Sequence, residues 1–140
     1  MTMPTLTRTL TWTALAALVL SPMRASAHGA LAVGLPDDVA KKGVAIGISF
    51  DYGSRADAEE RALKECRAFD APAATRELCK VVDVFVNECL VVALGGPGVG
   101  WAIGGRSAAT ELAVQRCAES AGEAERGACK VSEVRCDGKP

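Results

Sequence analysis

The stretch SRADAEERALKEC, residues 54–66, has the pattern of a capped amphipathic helix that ends in a cysteine. Ser54 is a favoured N-cap residue, because its hydroxyl can accept a hydrogen bond from a free backbone N–H of the first turn. Asp57 completes a pair that resembles a capping box and suits the positive end of the helix dipole. Apolar residues recur at helical spacing and predict one buried face: Ala58, Ala62, Leu63, Cys66 and Phe69.

A degenerate second copy of this helix, GRSAATELAVQRC, lies 51 residues downstream at 105–117 and keeps the same stripe. An alternative register, which pairs VAIG at 44–47 with WAIG at 101–104, needs a gap before the helix. We therefore prefer the gapless register and interpret the chain as two repeats, about 29–89 and 90–136, of one cysteine-bearing unit. The preferred register, with short deletions for the last two pairs, matches Phe50 with Trp101, Gly53 with Gly104, Cys79 with Cys129 and Cys89 with Cys136.

Residues 1–27 have the organisation of a secretory signal peptide. Arg8 supplies the positive charge, residues 9–20 form an apolar stretch too short to span a membrane comfortably, and Ala25-Ser26-Ala27 is an A-x-A cleavage site. We expect cleavage after Ala27, export to the periplasm or the medium, and a single small domain over residues 28–140. A retained membrane anchor is the alternative.

The remaining 113 residues are slightly acidic. Loss of residues 1–27 removes two arginines and leaves 14 basic and 17 acidic side chains. This balance does not indicate a nucleic-acid partner. No long apolar run follows residue 27, so we expect no membrane span after cleavage.

All six cysteines lie after the predicted cleavage site. An even number in a small exported protein indicates disulfides, and six cysteines allow 15 connectivities. A zinc site is the alternative, but no C-x-x-C spacing occurs and His28 is the only histidine, so we expect no metal and no cofactor. The repeat favours a scheme that ties each helix end to the following strand and then joins the two remaining cysteines: Cys66–Cys79, Cys117–Cys129 and Cys89–Cys136.

Each unit reads as strand–strand–helix–strand. The β-rich runs cover residues 30–35, 44–50, 79–86, 90–94, 99–103 and 129–136, and turn-forming residues occupy 36–42 and 95–98. The pattern predicts an α+β fold, in which a mostly antiparallel sheet carries two helices packed on one face and disulfides staple the whole.

These motifs, in this order, resemble a family of small exported bacterial proteins, domain of unknown function 4189. Such proteins carry GALAV, then SRAEAE-x-x-AL-x-x-C and C-x-V-V, and then repeat. Here these appear as GALAV at 29–33, residues 54–66, CKVV at 79–82, VVALG at 91–95 and CKV at 129–131. The chain departs from the pattern at VAI, 44–46, where tryptophans are common, and at GRS, 105–107. The resemblance implies an exported compact domain, and it brings no established catalytic residues.

The sequence offers few groups for catalysis. His28 lies at the expected new N-terminus, where fraying makes it a poor general base. The glycine-rich segment 95–100 lacks the spacing of phosphate-binding loops and suits a hairpin turn. A carboxylate pair could serve a glycosidase-like role, although most of the available acids fall on the solvated helix face or at its cap: Asp51, Asp57, Glu59, Glu60 and Glu88.

Three aromatic residues, Phe50, Tyr52 and Trp101, are candidates for a binding patch, with a purely structural role in the core as the alternative. We hypothesise an exported, non-enzymatic module that binds a protein or cell-envelope partner, as an inhibitor, an immunity-type protein or a host-facing factor. A cell-wall or glycan hydrolase that uses a carboxylate pair such as Asp51 and Asp57 is the second hypothesis. A structural component of the envelope is the third.

Overall fold

The computed structural model describes residues 26–138, so nearly all of the predicted signal peptide lies outside the described residues. Within this range no helix is long and apolar enough to cross a bilayer. Six strands and four α-helices occur in it, with a 3₁₀ turn at Arg126–Ala128 before the last strand. In chain order they are β1 His28–Gly34, α1 Val39–Lys42, β2 Ala45–Tyr52, α2 Arg55–Ala68, α3 Ala73–Glu77, β3 Lys80–Val86, β4 Cys89–Gly95, β5 Gly98–Gly104, α4 Arg106–Ala121 and β6 Lys130–Cys136.

The strands form two antiparallel three-stranded sheets with the same internal order. The first sheet is ordered β2-β1-β3 and the second β5-β4-β6. The pairing of the central strand with the third strand shifts register at the same place in both sheets, between Leu31 and Ala32 in one and between Val92 and Ala93 in the other. The predicted α+β class and the duplicated strand–strand–helix–strand unit are therefore confirmed.

Four layers result, in the order helix, sheet, sheet, helix. Alternate residues of a strand face opposite sides of its sheet. Ala30 and Ala32 of β1 pack under α2, whereas Leu31 of β1 meets Leu90 and Val92 of β4 between the sheets. The layering thus differs from the expected single sheet with both helices on one face. Each central strand buries both of its faces, so each sheet takes one helix outside and the other sheet inside.

Helix α2 begins as the sequence predicts. The Ser54 side chain accepts a hydrogen bond from the Asp57 N–H over 3.2 Å, and the Asp57 carboxylate accepts one from the Ser54 hydroxyl over 2.7 Å. The buried residues Ala58, Ala62 and Cys66 form the stripe that faces the sheet. Small side chains on this stripe bring the helix close to the strands below it.

One glycine in each unit permits this close approach. A Cβ at Gly47 would lie 2.0 Å from the Ala62 carbonyl oxygen and 2.2 Å from the Cys66 nitrogen. A Cβ at Gly100 would lie 2.3 Å from both the Ala113 carbonyl oxygen and the Cys117 nitrogen. Since these neighbours are helix backbone atoms, no side-chain rotation could make room.

All three predicted disulfides are present. Cys66–Cys79 and Cys117–Cys129 each tie a helix to the residue before the third strand of its unit. Chain entropy makes closure of such short loops worth about 3 kcal/mol each, and the 47-residue separation of Cys89 and Cys136 raises the third to about 4 kcal/mol.

The third disulfide joins two strands of the second unit rather than the ends of two units. Cys89 opens β4 and pairs with Cys136, just as His28 opens β1 and pairs with Val86. Cys89 and Cys136 are therefore not equivalent positions, and the match between them was wrong although their pairing was right.

The gapless register between the repeats is also wrong ahead of the helix. Ala32 pairs with Gly47 in the first sheet, and Ala93 pairs with Gly100 in the second, so the two glycines correspond. Ile48, not Phe50, is then the counterpart of Trp101. The first unit has two extra residues where the β1–β2 register shifts, next to Asp51, whose φ of 60° bends the strand.

We predict that Gly47→Ala lowers the free energy of unfolding by about 3 kcal/mol, because the new methyl group forces α2 away from the sheet. Chemical denaturation of the oxidised protein measures the change. Gly53→Ala is the matched control, since a Cβ there meets no atom within 4 Å. Equal stability of the two variants would contradict the role given to Gly47.

Candidate binding cleft

A cleft of about 600 Å³ runs along the free edge of β2. Strand β2 lies at the edge of its sheet and pairs with β1 alone. The cleft touches every residue from 46 to 50. Because successive side chains point to opposite faces, a cleft that touches all of them lies against the strand edge, where the backbone groups are. We call this site the β2 cleft.

One face of α2 forms the first wall of the β2 cleft. Its residues Arg61, Glu65, Ala68 and Phe69 lie one turn apart or adjacent on the same side of the helix. Arg61 and Glu65 form an ion pair with 2.5 Å between nitrogen and oxygen, and both side chains are more than 40% exposed. This wall combines a solvated ion pair with an apolar end.

Strand β6 of the other sheet forms the second wall. Glu133 and Arg135 pair with Val92 and Leu90, whose side chains lie between the sheets, so all four face the first sheet. Arg135 binds Glu133 over 2.8 Å. Its guanidinium also lies over the ring of Phe50, 5.7 Å from the centroid, at a distance typical of a cation–π contact.

The β2 cleft is therefore electrically balanced and partly apolar. Two arginines and two glutamates line it. Phe50 is 42% exposed and Phe69 is 39% exposed, one toward each wall. Exposed aromatic rings beside paired charges are typical of contact surfaces, in which apolar anchors supply affinity and a polar rim supplies orientation.

The structure separates the three aromatic residues that the sequence suggested. Phe50 and Tyr52 line the β2 cleft, but Trp101 packs against the core between the sheets and lines a different depression, with Val33 and Val82. A binding role for these aromatics stays a prediction, and the geometry allows a joint one for Phe50 and Tyr52 alone.

Sequence reasoning missed most of the walls of the cleft. It placed Phe69 on the buried stripe of α2, but the helix ends at this residue and leaves the ring partly exposed. Arg61 and Glu65 carry no motif that would single them out in the sequence. Glu133 and Arg135 could not be placed, because their position depends on how the two sheets stack. The alternation of β6 was the only available signal that they share a face.

A pair of aspartates closes the Tyr52 end of the cleft and links the two units. The Asp51 N–H donates to Asp137 Oδ1 over 2.7 Å, and the Gly138 N–H donates to Asp51 Oδ1 over 2.9 Å. Asp137 is 2% exposed, and its Oδ2 atom is buried without a hydrogen-bond partner among residues 26–138. Burial raises the pKa of Asp137, partly opposed by the Asp51 N–H, which stabilises the charged form.

Three of the five candidate carboxylates are engaged elsewhere in the fold. Asp57 caps α2, Asp51 accepts from Gly138, and Glu59 pairs with Arg55 over 2.6 Å. His28 lies in β1, paired with Tyr52 and Val86, rather than in the frayed terminus that we expected. In the described part of the chain, no group of three acidic, histidine or cysteine side chains has the arrangement of a metal site.

We predict that Asp137→Asn changes the pH dependence of stability. The raised pKa means that the folded state keeps a proton which the unfolded state has lost, so the contribution of Asp137 is favourable in acid and is lost as pH rises through the folded pKa. Asparagine has nearly the same shape as aspartate and does not titrate, so the variant removes the charge while the side-chain oxygen can still accept from the Asp51 N–H.

Thermal unfolding from about pH 4 to pH 7 measures this effect, since stability relative to wild type should shift in favour of Asp137→Asn as pH rises. Asp70→Asn, which removes an exposed carboxyl group, is the control. A constant difference between Asp137→Asn and wild type across this range would contradict the assignment.

Comparison with known proteins identifies the chain by family. A family model described as Domain of unknown function (DUF4189) matches residues 28–136, and the chain belongs to this family. Searches of curated proteins and of solved structures found no match.

Proposed function

We propose that this DUF4189 protein is an exported, non-enzymatic module that binds a protein or cell-envelope partner in the β2 cleft. The observation that carries the proposal is the cleft itself, about 600 Å³ in volume and open along a strand edge. Two partly exposed phenylalanines face it, from a chain that is poor in aromatic residues. Aromatic side chains exposed in a concave site are the usual anchors of a partner.

Rigidity supports a binding role. The Cys66–Cys79 disulfide holds α2, which is one wall of the cleft, and the Cys89–Cys136 disulfide holds β6, which is the other. A site whose walls are fixed before binding loses less conformational entropy when the partner arrives. These two disulfides thus stabilise the surface that we assign to the partner.

The same disulfides support export. Every cysteine among residues 26–138 is paired, and such bonds persist in oxidising compartments outside the cytoplasm. The expected cleavage after Ala27 would leave β1 starting at the new terminus, with His28 already paired in the sheet. Signal cleavage and export to the periplasm or the medium are part of the proposal.

No observation in the described residues favours the carboxylate hydrolase. The two aspartates suggested for it, Asp51 and Asp57, serve the contact between the units and the cap of α2. The hydrolase stays a hypothesis from the sequence, and we do not propose it here.

We expect Phe50→Ala combined with Phe69→Ala to weaken partner binding about tenfold or more, because both apolar anchors are lost. The tagged, oxidised protein is incubated with envelope and medium fractions of the producing cells, and the recovered material is quantified by mass spectrometry. Leu112→Ala is the control, since Leu112 is 37% exposed on α4, outside the cleft. Recovery of no specific partner, or equal recovery by both variants, would contradict the proposal.

Intact-mass measurement of the protein collected outside the cytoplasm tests the export part separately. We expect a chain that begins at His28 and resists alkylation until it is reduced, because all six thiols are in disulfides. A chain that retains residues 1–27, or one that is alkylated without reduction, would be inconsistent with the proposed export.

A further inference from the structure

The edge strands β2 and β5 of the two units differ in how their outward backbone groups are hydrogen-bonded. Side chains of α4 occupy the free edge of β5 in the second unit. The Val99 N–H donates to Ser120 Oγ over 2.8 Å, and the same hydroxyl lies 2.9 Å from the Val99 carbonyl oxygen. Arg116 Nη1 donates to the Trp101 carbonyl over 2.7 Å. Three outward backbone groups of β5, the Val99 N–H, the Val99 carbonyl and the Trp101 carbonyl, are therefore satisfied by side chains of α4.

The equivalent edge of β2 has no such cover. Ile46 and Ile48 correspond to Val99 and Trp101, because Gly47 and Gly100 hold the same place in the two sheets. In an antiparallel pair, every second residue directs its N–H and C=O away from the partner strand. Ile46 and Ile48 thus present these groups to the β2 cleft, and within residues 26–138 no side chain hydrogen-bonds to them.

The reason lies in two positions of α2. Glu65 and Phe69 stand 51 residues before Arg116 and Ser120. Glu65 holds the same place in α2 as Arg116 in α4, whereas Phe69 follows the last residue of α2 and Ser120 still lies within α4. The Glu65 carboxylate cannot donate to a carbonyl oxygen, and it is paired with Arg61. Phe69 has no polar atom in its side chain. The residues that close the edge in the second unit are replaced by residues that leave it open in the first.

Resting on the proposed function, we infer that the partner is a polypeptide and that an extended segment of it pairs with β2 as an additional strand. An added strand supplies one hydrogen-bond acceptor and one donor for each outward residue of the edge. These are the partners that the backbone N–H and C=O groups of Ile46 and Ile48 lack. The segment lies between α2 and β6, with one set of alternate side chains on Phe69 and the other on Phe50.

The geometry sets the length and character of this segment. The lined stretch of β2, residues 46–50, is about 16 Å long and accommodates about five extended residues. The contact between Asp51 and Asp137 covers the next N–H of the edge, so pairing stops there. Since the cleft carries two arginines and two glutamates, it suits a segment without excess charge and with apolar side chains on both faces.

A second copy of this chain fits the site less well. Its own β2 edge lies between walls formed by α2 and β6, so two such edges would have to enter each other's clefts. A free segment of a partner has no walls of its own. A glycan could stack on Phe50 and Phe69, but it has no alternating backbone donors and acceptors to match Ile46 and Ile48.

The test copies the closed edge of the second unit onto the first with Glu65→Arg. The new guanidinium, placed as Arg116 is, is expected to donate to the Ile48 carbonyl and block strand addition. Peptides selected from a displayed library of random nine-residue sequences against the wild-type oxidised protein serve as probes, and calorimetry measures their affinity. We expect Glu65→Arg to weaken binding about tenfold or more, which corresponds to the loss of one or two hydrogen bonds.

Two control variants separate blocking from loss of charge. Glu60→Arg adds a positive charge on the exposed side of α2, outside the β2 cleft, and should bind within about twofold of wild type. Glu65→Ala removes the carboxylate of the cleft wall without supplying a donor, so it should lose less affinity than Glu65→Arg. Hydrogen exchange then reports the mechanism directly. Bound peptide should slow exchange of the Ile46 and Ile48 amides, whereas binding through side chains alone would leave them unchanged.

Each outcome decides between the inferences. Peptide binding with protected Ile46 and Ile48 amides that Glu65→Arg abolishes supports strand addition. Binding without that protection, or unaffected by Glu65→Arg, overturns strand addition and leaves the proposed binding function standing. If no selected peptide binds, the assignment of a polypeptide partner is overturned. Recovery of a glycan by the wild-type protein, but not by the Phe50→Ala and Phe69→Ala double variant, would then identify the partner class. If exchange of the Ile46 and Ile48 amides slows when the concentration of this protein alone is raised, a second copy occupies the edge of β2 and the inference is overturned.

Discussion

The close contact between helix α2 and strand β2 at Gly47 is the constraint on which the candidate site depends. Without a Cβ at this position, the backbone of the helix approaches the strand near Ala62 and Cys66. The Cys66–Cys79 disulfide fixes the same region of the helix to the start of β3. Together they hold α2 as a wall above the edge of β2, and a helix displaced by even one methyl group would alter the cleft.

Duplication explains why a second constraint of the same kind exists, and divergence explains why helix side chains bond to the edge of β5 but not to the equivalent edge of β2. Both units keep the glycine, the small residues under the helix and the helix-to-strand disulfide. The differences concentrate where the helix faces the strand edge. In the second unit Arg116 and Ser120 bond to β5, and the Trp101 side chain fills the space beside the core. A duplicated fold can thus assign stability to one copy and contact with a partner to the other.

The sequence predicted the parts of the fold that local chemistry controls. The capped helix at Ser54, its buried stripe and the two helix-to-strand disulfides follow from spacing within a unit. The third disulfide was paired correctly, but from a match between Cys89 and Cys136 that the structure overturns. The stacking of the sheets could be read only weakly. Leu31 and Val33 alternate with Ala30 and Ala32 in a run that is apolar throughout, which is how a strand buried on both faces appears.

The candidate site was less predictable because it combines residues from three distant segments. The sequence singled out Phe50 and Tyr52, which line the β2 cleft, but its match of Phe50 with Trp101 was wrong, because positive φ at Asp51 and two extra residues interrupt the strand. Nothing in the periodicity of a single strand reports such an insertion. The wall formed by Glu133 and Arg135 depends on which strands of the two sheets face each other, and no local pattern encodes that arrangement.

The insertion at Asp51 does more than displace the register. It turns the Asp51 N–H toward Asp137, which follows the last strand of the other unit, and Gly138 returns a hydrogen bond to the Asp51 carboxylate. The Asp137 side chain thereby lies buried with one oxygen that has no hydrogen-bond partner among residues 26–138, which costs stability. In return, the pair ties β2 to the end of β6, and these two strands carry Phe50 and Arg135 on opposite sides of the cleft. The contact between Asp51 and Asp137 therefore costs stability at the Asp137 carboxylate, but it holds the two sides of the β2 cleft in place.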